Sequence, residues 1–263
     1  MNILVTNDDG IYSPGLTAAA EAAAEFGNLY IAAPSNQKTG SGRSLIGNRD
    51  QHLEKTNLEV NGKRHPAYHM DCTPALVVKH AFNTIFRDTE IDIAVSGINY
   101  GENIGYDVSI SGTVGAAIEC AVRGIPSFAV SLQTHIDRHL HYGDADWDVP
   151  KFFLKLFIQR CAEVGGFSGF DICKLDIPET ATEDTEWVLG RLSKQSYFST
   201  RLENPGDATK LSEVKLGRVE GAYEEGSDAC ILNCHDKVSV TPLTLDWTAE
   251  ETGGFFSFSA AGT

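Results

Sequence analysis

Apolar positions along this chain follow two rhythms, short continuous runs and longer segments with helical spacing, and these alternate as far as about residue 180. The run Asn2 to Thr6 predicts a buried strand. Pro14-Gly15 then opens an alanine-rich segment, Leu16 to Phe26, which predicts a helix stopped at Gly27. Leu29 to Ala33 predicts a second strand, ended by Pro34. Strand, helix and strand in this order form a β-α-β unit, and such units build parallel sheets.

Ser35 to Arg43 is polar and contains glycine, which predicts a loop at the end of the second strand. Short alternating runs around Asn61-Gly62, between Ser44 and Met70, predict a hairpin. Thr73-Pro74 opens a helix running to about Phe86, and Ile91 to Val95 predicts a third strand. Gly97 to Gly112 reads as a long glycine-rich loop, followed by a helix over Thr113 to Arg123 that Gly124 ends. Ser127 to Leu132 and Asp171 to Ile177 predict strands on either side of a helix over Trp147 to Val164.

Helical spacing stops beyond Pro178. Trp187 to Tyr197, Leu211 to Val219 and Cys230 to Val240 predict β segments, and the weakly patterned tail from Glu250 predicts partial disorder. The expected fold class is α/β: a three-layer core with a mostly parallel sheet over residues 1–180, a hairpin insertion at about 44–70, and a β-rich C-terminal extension over 181–263.

Composition narrows the partners. A length of 263 residues suits one large domain or one domain with an appendage. The formal net charge of −15, from 36 acidic and 21 basic residues, repels nucleic acid and anionic membranes. A small anionic substrate fits only where a metal or local donors reverse the sign. Met1 runs into a strand without a basic n-region and apolar h-region, and no apolar run approaches the roughly 20 residues of a membrane span. The six cysteines are scattered and read as free thiols, so a cytoplasmic location is expected.

Ligands of open parallel sheets bind beyond the carboxyl ends of the strands. Here those ends carry Asp8-Asp9, Lys38-Thr39-Gly40-Ser41-Gly42 and Ser96-Gly97-Ile98-Asn99. Adjacent carboxylates, a hydroxyl and an amide oxygen make an all-oxygen donor set that suits hard cations such as Mg²⁺ or Mn²⁺. Asn7-Asp8-Asp9-Gly10 is equally an ordinary turn sequence, and its position at a strand end is what favours a site. Ser111-Gly112-Thr113 opens a helix whose free N–H groups suit a phosphate, or simply supplies an N-cap. Gly97, Gly101 and Gly105 permit close backbone approach to a ligand, or merely a flexible loop.

Two further clusters invite a metal reading. His135, His139 and His141 lack further ligands in the pattern and read as a solvated loop or interface. Cys230, Cys234 and His235 fall in a predicted strand, where 230 and 234 face one side and 235 the other, so they read as structural thiols.

At this point the residues resemble the SurE family of nucleotidases (stationary-phase survival protein E). The resemblance is carried by Met1 to Gly10 with Pro14-Gly15, by Ala33-Pro34 with Thr39-Gly40 and Ser44-Leu45, by Ser96 to Gly105 continuing through Ser111-Gly112-Thr113-Val114 to Glu119, and by Ser227-Asp228 with Val238 to Leu243. It implies a Rossmann-like core and a homodimer or homotetramer whose C-terminal segments exchange. It implies hydrolysis of nucleoside 5′- or 3′-monophosphates, with one divalent ion per subunit held by Asp8, Asp9, Thr39 and Asn99. Asp8 or Asp9 would act as general base, and Asn7, Gly40, Asn103, Ser111, Gly112 and Thr113 would line the phosphate and substrate site.

The chain departs from the family pattern at Thr39, usually serine, and at Cys72-Thr73-Pro74-Ala75-Leu76, where the family has Gly-Thr-Pro-Ala-Asp. Lys174-Leu175-Asp176-Ile177-Pro178 likewise replaces the usual Asn-Val-Asn-(Val/Ile)-Pro. The alternative these changes leave open is a non-catalytic, nucleotide-binding family member. Receiver domains need an aspartate after the third strand, haloacid-dehalogenase phosphatases need Asp-x-Asp after the first, and dinucleotide-binding domains need G-x-G-x-x-G there. None of these patterns is present at those positions.

Overall fold

The structure is a computed structural model that describes residues 1–136, 139, 142–219 and 221–248. The expected disorder from Glu250 onward and the proposed role of His141 lie outside those residues.

One mixed sheet organises the molecule. Its first strands are β1 (Asn2–Thr6), β2 (Asn28–Pro34), β3 (Glu54–Val60), β4 (Lys63–Met70), β5 (Ile93–Tyr100), β6 (Ser127–Leu132) and β7 (Ile172–Ile177). β8 (Trp187–Leu189) and β11 (Val238–Leu243) complete it, while β9 (Phe198–Arg201) and β10 (Lys215–Arg218) form a separate antiparallel pair. The sheet order is β3-β4-β2-β1-β5-β6-β7-β11-β8. Pairings from β4 through β7 are parallel, with β3 and β11 running antiparallel to their neighbours β4 and β7.

The helices α1 (Pro14–Ala23) and α4 (Asp148–Val164) cover one face. The helices α2 (Pro74–Asn83) and α3 (Gly112–Ala121) cover the other. This explains the continuous apolar runs of β1 and β6, since strands buried on both faces have no solvent side to alternate with. Leu4 packs toward α2 and α3 while its neighbours Ile3 and Val5 pack toward α1 and α4. Each such fully buried side chain contributes about 1.5–3 kcal/mol relative to exposure. The Asn61-Gly62 signal yields a two-residue turn between Val60 and Lys63, with both residues at positive φ (50° and 72°).

Several expectations need correction. Cys230 to Val240 is not one β segment: α5 (Asp228–Asn233) precedes β11. Ser227 caps α5 by accepting a hydrogen bond from the Cys230 N–H at 3.2 Å, and Asp228 supplies the first-turn carboxylate. That capping signal outweighs the local β propensity. Strand structure over Trp187 to Tyr197 is confined to β8, and over Leu211 to Val219 to β10. β5 also continues past Gly97, through a register shift between Ser96 and Asn99, so Asn99 sits on a strand beside Ser131 instead of in a loop. Residues beyond 180 return to the main sheet through β8 and β11, so the sheet does not end at that point.

Candidate functional site

β1 and β5 are adjacent and parallel, so their carboxyl ends open on one side. β1 delivers Asp8 and Asp9 there, almost entirely buried at 5% and 1% exposure. Asn7 fixes the turn, accepting from the Gly10 N–H and donating to the Gly10 carbonyl, each at 3.1 Å. The loop after β2 is tied across this turn, its Lys38 N–H donating to the Asp8 carbonyl at 2.7 Å.

Each carboxylate is oriented by neutral donors. Thr113 Oγ1 donates to Asp8 Oδ1 at 2.6 Å. Gln37 Nε2 donates to Asp9 Oδ1 at 3.0 Å, and the Tyr100 N–H to Asp9 Oδ2 at 3.2 Å. Burial pushes Asp8 up from 3.8 to about 6, although the Thr113 hydroxyl pulls it back. Burial also holds Asp9 well above the usual carboxylate range, and the neighbouring Asp8 charge adds to the rise. Two buried carboxylates with neutral partners carry an electrostatic deficit that a cation would remove.

Beside them lies a cavity of about 160 Å³ lined by Asp8, Thr39, Gly40, Asn99, Asn103 and Ser111, with Phe198 and Leu216 of β9 and β10 forming an apolar wall. Two larger clefts, of about 450 and 550 Å³, are lined chiefly by apolar side chains and contain no adjacent carboxylate pair. The smaller cavity is the one that an Asp8 carboxylate lines.

The sequence-derived residues fall into two groups. Asp8, Thr39, Gly40, Asn99, Asn103 and Ser111 face the cavity. Asp9, Gly112 and Thr113 are packed behind it, and Asn7 is buried with its amide engaged by Gly10. Ser111 caps α3 by accepting from the Val114 N–H at 3.1 Å. Its side chain is thereby occupied, and the first turn of α3 is directed at Asp8.

Several residues escaped sequence reasoning. Gln37 bridges Asp9 and the His139 carbonyl, the latter at 2.8 Å. Ser41 Oγ is buried without a hydrogen-bond partner among the described residues, and lies beside Gly112. Of the solvated loop or interface expected around His139, the solvation needs correction: this ring packs on Gly101 with its side chain 11% exposed, and Nε2 lies 3.8 Å from Glu102 Oε2. Burial lowers the His139 pKa, partly offset by Glu102. Glu102 Oε1 also accepts from Arg218 Nε at 2.6 Å and from the Tyr197 hydroxyl at 2.8 Å. No local motif marks these contacts, because each joins segments far apart in sequence.

A buried charge cluster supports the glycine-rich loop. Lys174 pairs with Asp176 and, at 3.1 Å, with Asp228, all three fully buried. Asp176 Oδ1 accepts from the Asn103 N–H at 2.8 Å, and Asp228 Oδ2 from the Gly105 N–H at 2.9 Å. Burial raises Asp176 to about 6 even with Lys174 beside it. Burial alone would lower Lys174, but the two carboxylates outweigh it and hold the ammonium above its usual value. The two altered positions, Lys174 and Asp176, thus form an ion pair and act together on the loop bearing Asn103.

Along most of its length the chain is similar to known proteins. A family model described as survival protein SurE matches residues 3–199. The 5′-nucleotidase SurE of Thermococcus gammatolerans is 40% identical over 250 residues, covering 95% of this chain and 92% of its own. Its counterpart in Thermococcus kodakarensis is 38% identical over 250 residues, covering 95% and 94%. The crystal structure of the SurE protein from Aquifex aeolicus matches with a TM-score of 0.73 at 26% identity, covering 94% of this chain and 95% of the other.

Proposed function

The chain belongs to the SurE family, and on that premise we propose that it is a divalent-metal-dependent phosphomonoesterase that releases phosphate from nucleoside 5′- or 3′-monophosphates. The observation that carries this proposal is the buried pair Asp8 and Asp9, the first lining a small polar cavity and the second packed behind it, both oriented by neutral donors. The donor chemistry fits a hard ion: Asp8, Asp9, Thr39 and Asn99 offer oxygen atoms only, and would hold one Mg²⁺ or Mn²⁺ per subunit. When bound, such an ion supplies Lewis-acid polarisation of the phosphoryl group and a water of lowered pKa.

The protein groups do the remaining work. Thr113 holds Asp8, and Gln37 with the Tyr100 N–H holds Asp9, so neither carboxylate must reorganise during reaction. Their raised proton affinity suits the pair to accept a proton from attacking water. The N-terminus of α3, where Gly112 and Thr113 lie against Asp8, turns the positive end of its dipole toward the phosphate. Asn103, held by Asp176 and Ser131, adds a polar contact. Phe198 and Leu216 give the nucleoside an apolar wall, and His139 and Glu102 line the same cavity.

The chain would act as a homodimer or homotetramer, as the family resemblance implies. Its cysteines are free and all but Cys234 are buried, which supports a reducing, cytoplasmic setting. No described helix is long and apolar enough to cross a membrane.

The test is phosphate release from a panel of nucleoside 5′- and 3′-monophosphates, with and without chelator, for the native chain and Asp9→Asn. Turnover that depends on added Mg²⁺ or Mn²⁺ and disappears in Asp9→Asn is expected. Turnover that survives both changes overturns the metal mechanism. Nucleotide binding without any turnover leaves the non-catalytic alternative.

A further inference from the structure

The helical start of the Cys230 segment changes what its side chains can do. Cys230 lies in the last turn of α5 and Cys234 is its C-cap residue, four positions on, so the two thiols share one face of that turn. Cys234 Sγ stands outside the cluster of donor atoms around Cys230. The chain then folds back, and His235 Nε2 comes within 3.6 Å of Cys230 Sγ. Glu225, in the turn before α5, completes the group: its Oε2 is 3.7 Å from Cys230 Sγ and its Oε1 3.4 Å from His235 Nε2.

These spacings have a chemical meaning. Zinc bonds of about 2.3 Å to sulfur and about 2.0–2.2 Å to nitrogen or oxygen, set tetrahedrally, separate neighbouring ligand atoms by about 3.3–3.8 Å. The three separations, 3.6, 3.7 and 3.4 Å, fall in that range. Glu225, Cys230 and His235 each have a donor atom within 4.8 Å of the others. The donor set is a thiol, an imidazole and a carboxylate, which selects a softer ion than the oxygen ligands at Asp8 and Asp9.

We propose that Glu225, Cys230 and His235 form a second metal site, for Zn²⁺ or a similar thiophilic divalent ion, separate from the cavity at Asp8. Burial, Cys234 and Glu225 raise the ion-free Cys230 thiol to about 11. Binding therefore displaces a proton: the ion gains a bond to Cys230 Sγ, and the thiol proton leaves for solvent. The role is structural. The opposite end of α5 carries Asp228, which holds Lys174 and the Gly105 N–H. An ion at the C-terminal end would secure the helix that anchors the glycine-rich loop, and would leave the reacting groups untouched.

Cobalt substitution tests the site by a readout independent of activity. The full chain, stripped by chelator under reducing conditions, is titrated with Co²⁺ and then with Zn²⁺. The expected result is a thiolate-to-cobalt charge-transfer band that saturates at about one equivalent and is displaced by Zn²⁺. Cys230→Ser should abolish the band, and His235→Ala, at a partly exposed position, should weaken Co²⁺ binding at least about tenfold. Asp9→Asn should keep it, since an all-oxygen site gives no sulfur band. Absence of the band overturns the proposal. So does its survival in Cys230→Ser with circular dichroism showing a folded chain, because sulfur from another cysteine would then be the ligand, and so does unchanged Co²⁺ affinity in His235→Ala.

Discussion

Gly112 lies directly against Asp8: a Cβ on the former would fall 2.7 Å from both Cβ and Oδ2 of the latter. It would also meet Ser41 Oγ at 2.9 Å. No side chain fits at the start of α3 while Asp8 keeps its place. Gly112→Ala should therefore fold, because α3 itself gains helix propensity, yet lose roughly 100-fold in kcat/KM as Asp8 is displaced. Steady-state kinetics with unfolding curves checks this, and unchanged kcat/KM would show that Asp8 position does not matter.

Thr113→Val keeps the shape of the side chain and removes the donor to Asp8. A hydrogen bond to a charged group is worth about 1.5–3 kcal/mol, so kcat/KM should fall by roughly 10- to 100-fold. Because the hydroxyl favours the ionised carboxylate, its loss raises the Asp8 pKa further. The acid limb of the pH–rate profile should move to higher pH, and a Thr113→Ser variant should restore it.

In metal-free protein, Asp8 should work against stability above acid pH. Its folded pKa is raised from 3.8 to about 6, so the folded state retains a proton that the unfolded chain has released. Stability should be greatest below about pH 4, fall as pH rises to about 6, and then level off, the loss being about 3 kcal/mol for this group. Asp8→Asn should lack that fall and be more stable than the native chain at neutral pH in chelator, with the difference vanishing near pH 4. Urea unfolding at the two pH values measures it. A difference of the same size at both would refute the electrostatic origin.

Lys174 and Asp176 should behave as one unit. Lys174→Asn alone leaves Asp176 and Asp228 buried without their ammonium, at a cost of about 3–5 kcal/mol. Adding Asp176→Asn restores the residue types usual in the family at both positions and should recover about 2 kcal/mol. Thermal or urea unfolding of the four chains in this cycle gives the coupling directly, and strict additivity would mean that the pair does not interact.

Local patterning made much of this protein legible. Continuous apolar runs in β1 and β6 marked strands buried on both faces, and Asn61-Gly62 marked its hairpin because both positions demand positive φ. Asp8, Asp9 and Asn99 could be picked out since polar residues at strand ends have no core to enter. The Ser227-Asp228 cap was equally visible in principle, but the β-branched and apolar residues after it favoured a strand on paper. A cap and one packed face decided for helix.

The sequence by itself determined the alternation of strands and helices and the acidic turn Asn7 to Gly10, since both depend on residues close in the chain. Tertiary structure alone decided what surrounds that turn. Gln37 meets His139, Glu102 meets Arg218, and Lys174 meets Asp228 across separations of 102, 116 and 54 positions, the last from the two residue numbers. Such contacts depend on strand order and on where loops return, and no short-range periodicity encodes either. The same reason holds at Cys230, where a strand would have parted its thiol from His235 and the end of a helix brings the two together.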